Sequence, residues 1–250
     1  MKKNDLITVL RVFAGLLTWF LLSKISGGYI ASKVVGIWGL VLKSMVIPYT
    51  LGLGAFLLVC KGMPSEDLIP DEKLRPSAGL ILKSFIVQTG LSVPLLFFIN
   101  TITRLTGHEL GGIKADELFG HLWFYLILLL IFNPVFEEIL FRKLVLNRLT
   151  PLGFKGAIIV SALLFALPHL YSQGIAQVPY TFAIGLVLAW ITIKTGKLWP
   201  AILLHSLSNI YGAYLPMGLN LIHPLFTVLF VLFTMGIMLP LTVVILTRKR

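Results

Sequence analysis

The sequence predicts an all-α fold, a polytopic bundle of about eight membrane-crossing helices, and three observations carry that expectation. Of 250 residues, 57% are apolar and only 12% are charged, about half the charged share of an ordinary soluble domain. The apolar residues gather into runs close to the roughly 17–25 residues that a helix needs to cross a bilayer. The connections between runs are too short to form an aqueous domain, and no internal repeat, low-complexity tract or linker divides the chain. A single membrane domain over residues 1–250 is therefore expected.

Apolar periodicity and Gly/Pro breakers place the spans near 6–22, 37–60, 78–99, 122–141, 157–170, 178–193, 198–215 and 225–246. The first follows Met1-Lys2-Lys3 as a signal peptide would. Arg11 interrupts its apolar run, however, and no small-x-small cleavage site clearly follows, so an uncleaved span is expected. The second gives way to a polar connection, 61–77, punctuated by Pro64, Pro70 and Pro76. The third leads into a connection over 100–121 with Gly107, Gly111 and Gly112, after which the fourth begins. Thr150-Pro151-Leu152-Gly153-Phe154 turns the fourth into the fifth. The fifth to seventh are short for full crossings, which fits either re-entrant segments or helices that extend beyond the apolar core.

With 21 Lys plus Arg against 10 Asp plus Glu, the formal net charge is +11. Nucleic-acid binding needs basic residues gathered into a patch or stripe; here they are dispersed between apolar runs, so no nucleic-acid partner is expected. They describe orientation instead. Residues such as Lys2, Lys3, Lys61, Lys73, Arg75, Lys194 and Lys249 fall on the N-terminal side, against Lys24, Lys33, Arg104 and Lys114 on the other. An even number of spans then puts both termini in the cytoplasm, in a cell membrane. The lone Cys60 cannot form an internal disulfide and reads as a packing residue. Arg11, Lys43 and Lys83, inside spans, snorkel or pair internally. Trp19, Trp38, Trp123, Trp190 and Trp199 fit interfacial anchoring or packing.

Among the acidic residues, Glu137 and Glu138 are the ones that fall inside a span. An ionised carboxylate in hydrocarbon costs several kcal/mol, so the pair must face protein or water and find partners. Glu138 and Arg142 are four residues apart on one helix face, whereas Glu137 points roughly 100° around the axis. Glu138 can thus be neutralised locally, and Glu137, without a partner in its own helix, is the better general base. The plainer alternative is a helix end at the cytoplasm where both glutamates merely pair with Arg142 and Lys143. Against it, Phe132, Val135, Phe136, Ile139, Leu140 and Phe141 surround the pair, and Pro134 removes a backbone donor, so that a kink can admit water.

Phe165 and His169 stand four residues apart in the fifth span. Gly153 lies midway between Glu137 and His169, so an antiparallel hairpin sets both at similar depth, about 24 Å of helix from the turn. In the seventh span His205 and Asn209 share a face. His108, His121 and His223 fall near loops and receive no role.

The ordered pattern Glu137-Glu138-x-x-x-Arg142, Phe165-x-x-x-His169, His205-x-x-x-Asn209 resembles that of the CPBP family, the CAAX prenyl endopeptidases and bacteriocin-processing (Abi-like) intramembrane proteases. The resemblance covers a motif-bearing core of about 122–215. It implies a glutamic-type endopeptidase in which Glu137 and His169 activate water, His205 and Asn209 stabilise the oxyanion, and Glu138, Arg142 and Phe165 support them. The assignment agrees with the residue types, since carboxylate and imidazole manage protons while amide and imidazole donors meet developing negative charge. No cofactor is required on this reading. Glu137, His169 and His205 also form a possible Zn²⁺ ligand set with water in the fourth position, although no His-Glu-x-x-His signature is present. A hydrated cavity is expected among the fourth, fifth and seventh spans, open to the cytoplasm or sideways to a membrane-associated peptide or protein substrate. Short termini and the lack of a eukaryotic targeting signal point to a bacterial enzyme, acting in bacteriocin processing or self-immunity. Two other functions fit the same residues: a non-catalytic scaffold or immunity protein, and a proton-coupled transporter, against which the absence of repeats weighs.

Overall fold

The computed structural model describes residues 3–68, 70, 72–107 and 113–248. Every regular element among them is helical. We number these α1 (Lys3–Ala31), α2 (Ile37–Val59), α3 (Ala78–Leu105), the short α4 (Ala115–Gly120), α5 (Leu122–Arg148), α6 (Gly153–Gln173), α7 (Gln177–Thr195), α8 (199–222) and α9 (Pro224–Thr247). His108, given no role above, lies outside the described residues.

Among the described residues, seven helices are long and apolar enough to cross a membrane. They correspond to all the expected spans except that of α8. This helix runs unbroken from 199 to 222, so its length is sufficient. Its composition is not, because His205, Ser206, Ser208, Asn209, Tyr211 and Tyr214 interrupt the apolar run. The fifth and sixth spans, short in the sequence, gain their length as helices that extend past their apolar cores, over Thr150–Gln173 and Gln177–Thr195.

The core gathers where α1, α2, α5, α6 and α7 meet: Val12, Leu16, Phe56, Cys60, Phe141, Phe165 and Ala189 are all buried there. Cys60 is a free thiol packed in this core. Trp19 donates from its indole nitrogen to the Pro48 carbonyl at 2.9 Å and sets its ring edge-on to Phe141. Arg11 pairs internally, as a helix cap: its guanidinium donates to Val59 O at 2.9 Å and Lys61 O at 2.7 Å. These carbonyls end α2 and have no helical donor of their own.

Two devices bind the other half of the bundle. The buried Gln88 amide of α3 donates to Leu204 O at 3.0 Å and Ser208 Oγ at 2.7 Å of α8. Gly90 lets α3 and α9 approach so closely that a Cβ there would stand 2.7 Å from the Met238 carbonyl oxygen. The 61–77 connection folds beneath the bundle, where Glu66 N–H donates to Asn147 O at 2.9 Å and Leu74 N–H to Lys194 O at 2.8 Å. This segment and the ends of α5 and α7 therefore share one face of the protein, as the distribution of basic residues requires.

Replacing Gly90 by Val drives side-chain carbon into backbone and should destabilise the protein by about 1–3 kcal/mol. Thermal unfolding in detergent checks this against Gly54→Ala, a site where an added Cβ meets nothing within 4 Å and no such loss is expected.

Candidate active site

The site begins with a break in α5. Pro134 has no N–H to give the carbonyl one turn earlier, that of Leu130. Just before it the helix widens into π-turns over Leu128–Phe132, and the Asn133 N–H reaches back to Leu128 O rather than to Leu129. Residues of α8 supply donors to both of these carbonyls. Ser206 Oγ donates to Leu130 O at 2.8 Å, and Asn209 Nδ2 donates to Leu129 O at 2.7 Å. The break in α5 is thus bonded by side chains of α8, which fixes the two helices together at the level of the glutamates.

One turn on, Glu138 is fully buried and divides its oxygens between two cations or donors. Oε2 accepts from Arg142 Nε at 2.8 Å, and Oε1 accepts from His205 Nδ1 at 2.9 Å. Arg142, equally buried, also donates to Ser161 Oγ of α6 at 2.9 Å, and its guanidinium lies 4.9 Å from the centre of the Phe165 ring. Phe165 contacts both imidazoles, with ring centres 5.3 Å from His169 and 5.7 Å, edge-on, from His205. The structure thus brings Glu138, Arg142, Phe165, His169 and His205 together. It also tells against the reading in which both glutamates merely lie at a solvated helix end.

Glu137 has a different environment. Its Oε2 lies 3.9 Å from His205 Nε2 and has no hydrogen-bond partner among the described residues, although the oxygen itself is buried. The two glutamates thus hold the same imidazole from opposite sides: Glu138 at Nδ1, Glu137 facing Nε2. His169, half-buried, places Nδ1 3.0 Å from the Phe165 carbonyl. A carbonyl only accepts, so Nδ1 carries the proton and Nε2 is left to face the site. The α5–α6 pairing of Phe141 with Phe165 and of Arg142 with Ser161 sets a register that brings Glu137 level with His169.

The structure adds detail to three of the sequence expectations. Asn209 was read as an oxyanion donor, but one of its amide hydrogens is committed to Leu129 O, leaving a single N–H for any other task. The cavity that reaches the cluster, about 260 Å³, is bounded by Asp67, Arg142, Asn147, Ile193 and Lys197. It lies on the Arg142 side, between α5, α7 and the 61–77 connection. As metal ligands, Glu137, His169 and His205 do not converge: among the described residues no group of three or more His, Cys, Asp or Glu side chains is placed to hold a metal ion.

Ser161 and Ser206 were missed. Ser161 had a usable signal, since 161, 165 and 169 recur at four-residue intervals on one face of α6. Ser206 had none, because its acceptor is a carbonyl freed by a proline in another helix.

The fold and this cluster describe a helical membrane protein with carboxylates and imidazoles gathered inside the bundle. Residues 119–211 match the family model described as type II CAAX prenyl endopeptidase Rce1-like, a stretch that contains every residue of the cluster. Over that stretch the chain is similar to this family of membrane endopeptidases. Comparisons with curated proteins and with solved structures give no match.

Arg142→Met leaves Glu138 buried with one partner removed, and losing half of a buried ion pair costs about 3–5 kcal/mol. Ser161→Ala removes one neutral acceptor and should cost about 1 kcal/mol. Thermal unfolding of the two variants side by side checks the ordering.

Proposed function

We propose that the protein is an intramembrane endopeptidase that hydrolyses a peptide bond of a membrane-associated protein or peptide through Glu137. The observation that carries this reading is the contrast between adjacent carboxylates: Glu138 is fully engaged by Arg142 and His205, while Glu137 Oε2 is buried, unpartnered and 3.9 Å from the same imidazole.

In the proposed reaction Glu137, aided by His169 Nε2, takes a proton from water as its oxygen attacks the carbonyl carbon. The C–N bond then breaks, and the proton passes to the leaving amine. Glu138 holds the Nδ1 proton of His205, so Nε2 donates to an oxyanion when His205 is an imidazolium, whose charge Glu137 faces. The free N–H of Asn209 is the second donor. Glu138, Arg142 and Phe165 act as positioning residues, since their contacts run to other side chains of the cluster. No cofactor enters the scheme. We place the enzyme in a bacterial cell membrane with both termini cytoplasmic, in keeping with the excess of basic residues in the connections on the N-terminal side, and read its role as bacteriocin processing or self-immunity.

Glu137→Gln is nearly isosteric and should reduce cleavage of a membrane peptide by about 100-fold or more while leaving thermal unfolding unchanged. His169→Ala should follow it. Full cleavage by a well-folded Glu137→Gln protein would reject the general base and leave the scaffold reading. Proton-coupled uptake into proteoliposomes, lost in Glu137→Gln, would favour transport. Chelators should leave the rate untouched; a rate lost on chelation and restored by Zn²⁺ would favour a metal-assisted reaction.

A further inference from the structure

α3 and α9 touch most closely at Gly90, which lies against Met238 and Thr242, and Thr242 Oγ donates to the Ile86 carbonyl at 2.9 Å. Beyond this crossing the helices run on towards Lys83 near the start of α3 and Arg248 just past the end of α9. A groove of about 480 Å³ opens there between α3, α9, α6 and α7, a volume in the range of small-molecule sites. One wall is a stripe on α3, with Leu80, Val87 and Leu91 on a shared face; Leu186, Val187 and Trp190 of α7 oppose it. From Leu80 to Leu91 the stripe extends about 16 Å. That is close to half of the roughly 30 Å hydrocarbon thickness, the depth of one leaflet.

Lys83 and Arg248 line the same groove, and no acidic residue does. Both cations are exposed, and neither forms an ion pair among the described residues. They mark the end of the groove where α3 begins and α9 stops, while Leu91 marks the deep end. An inorganic anion would satisfy the cations and leave the apolar wall uncovered. A neutral lipid would cover the wall and leave the cations unmatched.

We propose that this groove binds one anionic phospholipid, its phosphate between Lys83 and Arg248 and one acyl chain along the Leu80–Leu91 stripe. Basic pockets between membrane helices are where such headgroups are recognised. The site is separate from the carboxylate–imidazole cluster: Ile158, which lines the groove, and His169 lie eleven residues, or about 16 Å, apart along α6. The lipid therefore bridges α9 to α3 and α7 without entering the hydrolytic centre, and its binding does not depend on the protein being a peptidase.

The test is native mass spectrometry of the purified full chain titrated with phosphatidylglycerol or phosphatidylcholine, with apparent Kd as the readout. Two basic contacts should favour phosphatidylglycerol by about tenfold or more. Lys83→Gln/Arg248→Gln, on exposed side chains, should bring the two lipids to parity, and excess inorganic phosphate should not displace the bound lipid. Leu91→Trp should weaken both lipids by filling the deep end; if that variant does not fold, the double variant decides. Equal retention of both lipids by wild type, or a preference that survives the double variant, overturns the proposal. Displacement by inorganic phosphate overturns it in favour of a free-anion site.

Discussion

Glu138 divides its oxygens between Arg142 of its own helix and His205 of α8, at a position with no exposure. A carboxylate at that depth is tolerated only when its charge is matched and its lone pairs are bonded. The rest of the bundle supplies those conditions. Arg142 reaches α6 through Ser161 and the Phe165 ring, and His205 is carried on a helix that Gln88 and the break in α5 hold in place. Three helices are therefore committed to one buried charge, and their relative rotation is set by it. Apolar packing alone would leave that rotation loosely fixed, because lipid is as good a neighbour for leucine as another leucine is.

The same arrangement separates two residues that are neighbours in sequence and alike in chemistry. Rotation of about 100° per residue turns Glu138 towards Arg142 and leaves Glu137 on the side of the imidazole that bears Nε2. One carboxylate is spent on structure, and the other keeps an unbonded oxygen. The roles follow from which face of α5 meets which helix, and neither residue carries its role alone.

Much of this was legible in the chain. Hydrophobic runs long enough to cross a bilayer showed the helices, and glutamates inside one of them showed the site, because hydrocarbon makes an unpaired charge too costly to be incidental. Phe165 was legible as a neighbour of His169 one turn away, while a supporting role for it came only from the family resemblance. What could not be read depends on contacts between helices distant in sequence. Ser206 meets Leu130 across 76 residues, and the commitment of Asn209 to Leu129 needs both the π-turn and the angle of α8. The shape of α8 was hard to read for a related reason: the polar residues that build the site also dilute the apolar signal by which a crossing helix is recognised. The cavity beside Arg142 is walled in part by the 61–77 connection, whose backbone bonds to Asn147 and Lys194 have no signature in sequence.

The joint at Leu129 and Leu130 has a mechanical consequence. Its two carbonyls are fastened from outside the helix by Asn209 and Ser206, and no water waits in the surrounding hydrocarbon to take their place. While both bonds are made they hold α5 to α8 at this level, and parting the helices leaves two carbonyls that must be met by something that enters the gap. An arriving extended segment, with its own row of amide hydrogens, is chemically suited to do that. Opening would then be coupled to the guest that requires it, and the empty protein would stay shut.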